Sequence, residues 1–223
     1  MKKKRGHTPQ SVLKRLRHYS NKRRLPAMQR YGITTDKALG VPVKRLRIIA
    51  RDTLGDHGLA LQLWVTGVHE ARLLATMIEN PHQTHEKQLE RWLKTVDSWD
   101  LCDQLCNNVA RHTPYAYRKA FEWSEREPEF QKRAGFALMA SLAVHDKDAP
   151  DYQMEAFFTP ILEQCTDERN YVKKAVNWAL RQVGKRNPRL RKKAIATAEK
   201  MLKKESRSAK WIAFDALREL NKK

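Results

Sequence analysis

The stretch KKAVNWALRQV (173–183) decides the fold, because the chain says much the same thing twice more. KRAGFALMASL (132–142) precedes it and KWIAFDALREL (210–220) follows it. Each opens on a basic residue, runs through small residues and an aromatic, and closes on an apolar residue. In all three the apolar positions fall three and four apart, the spacing that gives a helix one buried stripe. Their starts lie 41 and 37 residues apart. A degenerate period near 40 predicts stacked two-helix units, each burying its apolar face only against its neighbours.

Working outward, the same helical spacing recurs in HEARLLATMIE, EKQLERWLKTVDSWDLCDQLCNNVAR, YRKAFEWSE and MEAFFTPILEQC. No stretch alternates β-branched residues in the manner of a strand. Breakers fall between the units at Gly40/Pro42, Gly55/Gly58, Pro81, Pro114, Pro128, Pro150 and Pro188. TPYAYRKA reads as a helix start with Thr113 as the cap and Pro114 at the first position. The expected fold is all-α: an α-α superhelix, or solenoid, of degenerate HEAT-like repeats with one concave basic face. Residues 1–24 are expected to form a basic N-terminal arm or first helix, and 25–223 a single repeat domain.

Composition narrows the partners. The 223 residues are 41% hydrophobic and 31% charged with only 8 glycines, which suits a folded chain with a real core. No apolar run approaches a membrane span, and MKKKRGHTPQ lacks the apolar stretch of a secretory signal, so no membrane is expected. Three cysteines make no disulfide framework and point to a reducing cytoplasm. The net charge of +20 is unevenly spread: residues 1–51 hold 16 Lys/Arg and one acid, 52–168 hold 11 and 20, and 169–223 hold 18 and 4. Two basic ends around an acidic middle favour a polyanionic partner, of which nucleic acid is the commonest.

The one stretch that carries chemistry is SWDLCDQLC (98–106). Cys102 and Cys106, even with His112 nearby, fall short of the four ligands of structural zinc, so they read as packing and neither metal nor cofactor is expected. The chain contains no phosphate-binding Gly-Lys loop, zinc-binding His-Glu-x-x-His or nucleophile elbow. His69–Glu70 reads as a pair on a helix surface. Trp99 and Asp103 are different: one helical turn apart, they share a side. Later repeat helices carry Arg133 and Trp178, and corresponding helices of a solenoid line one face. Two rings, a carboxylate and a guanidinium can thus meet in one groove.

SWDLCD, KRAGFAL and KKAVNWALRQVGKRNP resemble the HEAT-like-repeat DNA alkylation repair enzymes, the alkylpurine DNA glycosylases of AlkD type; HEARLLATMIE and GVPVKRLRIIAR resemble that family's earlier repeats. The likeness covers roughly residues 25 to 220. It implies Asp103, Trp99, Trp178 and Arg133 as the catalytic set, with Tyr31 of MQRYG as a cleft tyrosine. Two departures stand out: Ser98 takes the place of the first of a paired Trp-Trp, and TTDKALGV lacks aromatics that some relatives carry there.

The implied substrate is double-stranded DNA containing N3- or N7-alkylated purines. Such a purine is cationic and already a good leaving group. Breaking its glycosidic bond leaves an oxocarbenium-like sugar that a carboxylate stabilises. Asp103 would do this and orient the attacking water, Trp99 and Trp178 would pack on the deoxyribose, and Arg133 would hold a phosphate. The resemblance implies cleavage without base flipping. Arg181, Lys185, Arg186, Arg189, Arg191 and Lys192, in RQVGKRNPRLRKK (181–193), are the expected phosphate contacts. The chain is expected to act as a monomer, cytoplasmic and associated with the nucleoid. Two other readings use the same scaffold: a non-catalytic binder of duplex or branched DNA, and a protein-interaction solenoid.

Overall fold

The structure, a computed structural model, describes residues 7–222. Residues 1–6 of the stretch 1–24, expected as a basic N-terminal arm or first helix, lie outside them. Among the described residues the regular structure is helical, and no helix is long and apolar enough to cross a membrane. The chain divides into two compact units, one ending at Thr113 and the other beginning at Pro114.

The first unit holds α1 (Pro9–His18), α2 (Leu25–Arg30), α3 (Val43–Arg51), α4 (His57–Val65), α5 (His69–Ile78), α6 (Glu86–Lys94) and α7 (Trp99–Asn108). Thr8 starts α1 with a capping box, its hydroxyl accepting from the Ser11 amide while Ser11 returns the bond. Leu16, Leu46, Ile49, Leu63, Leu74, Ile78, Leu89, Leu93 and Leu101 are fully buried and form the core. α5 packs on α3, α4 and α7.

The second unit holds α8 (Ala116–Ser124), α9 (Glu129–His145), α10 (Asp151–Ala156), α11 (Phe158–Glu163), α12 (Asn170–Gly184), α13 (Pro188–Leu202) and α14 (Arg207–Leu220). The three similar stretches fall on α9, α12 and α14, and α12 packs against both of the others. Gly135 is required where α9 crosses α8: a Cβ there would lie 2.3 Å from the Ser124 amide nitrogen and 2.8 Å from the Ala120 carbonyl oxygen.

The repeat period is written in the hydrogen bonds. In the second unit Arg133 bonds the Tyr171 carbonyl, Asn177 bonds Asp215, Lys193 bonds Glu155 and Ser206 bonds Glu168, each spanning 38 residues. In the first unit Leu39 bonds Glu70, Trp64 bonds Thr95 and His69 bonds Asp100, each spanning 31. Shorter helices make a shorter repeat, so a period read from the second unit alone does not carry into the first.

Two local expectations fail. α8 starts at Ala116 rather than at Pro114, and its N-cap Tyr115 makes no side-chain cap bond. The Thr113 hydroxyl donates backward instead, 2.8 Å to the Ala110 carbonyl, closing the preceding 3₁₀ turn. His69 and Glu70 are not on the surface: both are buried. Glu70 accepts from the Leu39, Gly40 and Val41 amides at 2.8, 2.6 and 3.1 Å, so its charge holds together the turn before α3.

Candidate nucleic-acid interface

Trp99 is the first residue of α7, and the turn before it is held by Arg72 and Thr34. Arg72 of α5 donates to the Asp97 carboxylate at 3.0 Å and to the Thr95 carbonyl. Its guanidinium lies 4.8 Å over the Trp64 ring, which stacks on Trp92 at 4.1 Å. Thr34, in the segment after α2, donates to the Asp97 carbonyl at 2.8 Å. The Trp99 indole then donates its Nε1–H to the Tyr31 carbonyl at 2.8 Å. Tyr31 is the C-cap of α2 and is 71% exposed.

One turn along α7, Asp103 is half-buried, as is Trp99. Between them Asp100 meets His69 Nε2 at 2.9 Å. Burial pushes the Asp100 carboxyl up, but the His69 bond and charge outweigh it and hold it below the usual carboxylate range. Burial likewise pulls His69 down, and Asp100, Glu70 and Asp97 together hold it above its ordinary value. Cys102 and Cys106 of α7 are fully buried in the core. Ser98 is fully buried too, so an indole in its place would have to displace core side chains.

The first unit also carries a polar pocket of about 620 Å³ that sequence reasoning missed. Gln104, Asn107 and Asn108 of α7, Arg47 and Arg51 of α3, and Arg111 line it. Its wall carboxylate, Glu79, is committed to His57, Gln88 and the Asn80 amide. Among the described residues the three arginines have no carboxylate partner, and burial holds the Arg111 pKa below the usual arginine value. The i, i+4 spacing of Arg47 and Arg51 was the available signal.

In the second unit Arg133 is 6% exposed, and its Nη1 donates to the Tyr171 carbonyl in the first turn of α12 at 2.7 Å. Trp178 is half-buried two turns further along α12. The expected phosphate contacts separate into kinds. Arg181 pairs with Asp215 and Glu219, and Lys185 with Glu219. Arg186 turns inward, bonding the carbonyls of Ala143, Asp146 and Ala149 and so tying the end of α9 to the segment between α12 and α13. Arg189 pairs with Glu155 at 2.8 Å. Arg191 and Lys192 are exposed on α13, with no acidic partner among the described residues. The structure thus groups Tyr31, Trp99 and Asp103 in the first unit, and Arg133 and Trp178 in the second.

The family model described as "DNA alkylation repair enzyme" matches residues 12–220. One solved structure, described as "a new family of proteins related to the HEAT-like repeat DNA glycosylases with affinity for branched DNA structures", superposes with a TM-score of 0.80. It shares 18% sequence identity, and the match covers 96% of this chain and 95% of that one. That likeness establishes the HEAT-like-repeat fold. No curated protein matches the sequence. With nearly its whole length matched, the chain belongs to the DNA alkylation repair enzyme family.

Proposed function

We propose that this chain is a DNA glycosylase that hydrolyses the N-glycosidic bond of cationic N3- and N7-alkylated purines in duplex DNA without flipping the base. The observation that carries the reading is the α7 turn, where a tied-down indole and a half-exposed carboxylate stand one turn apart in a chain of the alkylation repair family.

Asp103 faces the positive charge that develops at C1′ as the purine leaves and orients the water that replaces it. A cationic purine departs without protonation, so a single carboxylate suffices. Trp99 and Trp178 each offer an electron-rich ring face for packing on a deoxyribose. Arg133 positions the strand through a phosphate. Arg191, Lys192 and the arginine pocket of the first unit supply sequence-independent contacts to duplex phosphates. In the cell the enzyme works as a monomer on the cytoplasmic nucleoid.

A second reading, a non-catalytic binder, is favoured by the branched-DNA affinity of the structural relative. Base release from duplex containing N7-methylguanine, wild type beside Asp103→Asn, decides between them when binding is measured in the same buffer. Release by wild type alone, with equal binding by both, supports the glycosylase. Binding by both with release by neither removes it and leaves the binder.

A further inference from the structure

α14 presents to solvent a stripe that neither the fold nor the proposed chemistry uses. Arg207, Lys210, Trp211, Phe214 and Arg218 recur at three- and four-residue spacing, and all five are exposed. Trp211 keeps 40% and Phe214 65% of its surface open, a large apolar exposure for a helix otherwise so polar. The Lys173 ammonium, from α12, lies 5.1 Å over the Trp211 ring. The stripe itself contains no acid. Asp215, beside it, is consumed by Asn177, Arg181 and Arg218. Glu168 is occupied at the start of α14 with Ser206 and the Ser208 amide.

We propose that this stripe binds unpaired nucleotides of single-stranded DNA, the two rings stacking on bases while the flanking cations follow the strand's phosphates. The inference extends the DNA-binding reading and rests on it for the choice of polyanion. Duplex phosphates need only cations; two exposed rings set among cations fit a strand whose base faces are themselves exposed. Trp211 and Phe214 are separated along the helix axis by about 4.5 Å, within the reach of adjacent nucleotides of one strand. An apolar protein partner would instead meet Arg207, Lys210 and Arg218 around both rings and would have to desolvate them. A strand arriving here would extend the DNA-binding surface past α12, the helix that carries Trp178.

The test uses the full chain and three fluorescent probes: an oligothymidylate, a duplex, and a fork with single-stranded arms. Phe214→Ala and Trp211→Ala should each weaken oligothymidylate and fork binding about fivefold or more, and duplex binding less than twofold. Trp211→Phe, which keeps a ring, should restore most of the loss. Phe214 is mostly exposed, so its variant tests the idea without threatening the fold. Unchanged oligothymidylate affinity in both alanine variants overturns the proposal, as does a self-association of the chain that Phe214→Ala abolishes. Duplex binding by wild type with no effect of either variant leaves the glycosylase reading standing without this site. Ring-dependent oligothymidylate binding with no duplex binding does the reverse.

Discussion

The Trp99 indole donates 2.8 Å to the main-chain carbonyl of Tyr31, 68 residues earlier. The bond fixes the ring at the first residue of the helix that carries Asp103, so the indole is aimed by the backbone of α2 rather than by its own rotamer alone. Trp99→Phe keeps a ring and deletes the donor. We expect it to cost about 1 kcal/mol of stability, the usual net worth of such a bond. It should also slow base release while duplex affinity holds. Urea unfolding and single-turnover release, read on the same preparation, check both; release at the wild-type rate would show that the aim of the ring does not matter.

Arg133 is expected to do two things, and they separate by measurement. Its bond to the Tyr171 carbonyl ties α9 to α12, and charge-assisted bonds of this kind are worth roughly 2 kcal/mol. Arg133→Met keeps the aliphatic stem and removes the head group. The denaturation midpoint should fall accordingly. If the guanidinium also meets a phosphate, the log–log salt slope of duplex binding should drop by about one. A fall in stability with an unchanged slope makes Arg133 a strut only.

How far the sequence carried depends on what its periodicity encodes. α9, α12 and α14 were legible because their apolar stripes, small residues and aromatics repeat along helices of 17, 15 and 14 residues. The repeats of the first unit were not measurable that way, since helices of 9 or 10 residues give too few stripe positions. Buried charge was the second blind spot. Hydrophobic spacing scores His69 and Glu70 as polar and places them outside, whereas they satisfy a carboxylate and three main-chain amides inside. Likewise Arg186 is one basic residue among several in the sequence, and only the carbonyls around it reveal a structural task. The Tyr31–Trp99 bond lies beyond any pattern, because its acceptor is a peptide carbonyl that every residue has.

Gly135 sets how closely α8 and α9 approach. A Cβ there meets main-chain atoms of Ser124 at 2.3 and 2.6 Å, and those atoms cannot swing aside as a side chain would. Gly135→Ala gains helix propensity yet must part the two helices. We expect a net loss of about 1–3 kcal/mol, the cost of overpacking a close contact. Gly58→Ala, where the nearest atom is the Asp56 carboxylate at 3.8 Å, is the matched control. It should be neutral or slightly stabilising, so an equal loss in both variants would remove the close-approach explanation.

The buried His69–Asp100 pair makes stability depend on pH with a definite sign. His69 has a folded pKa above its unfolded value of 6.5, so the folded chain holds the proton more tightly. Its contribution is therefore complete below pH 6.5 and fades as pH rises through the folded value. Asp100, held below its ordinary 3.8, contributes above that value and loses its share only as pH falls through the lowered one. The two ranges overlap in mildly acidic solution, where the ion pair is whole. Glu70 and Asp97 also raise the His69 pKa, while Lys37 and Arg72 line the same small pocket, so a charge change there reaches the turn that holds Trp99. Urea midpoints taken between about pH 5.5 and about pH 8.5 should fall with rising pH in the wild type. In His69→Gln this part of the decline should vanish. A midpoint that rises across the range in wild type and falls in the variant would reverse the assignment, placing the proton on the unfolded chain.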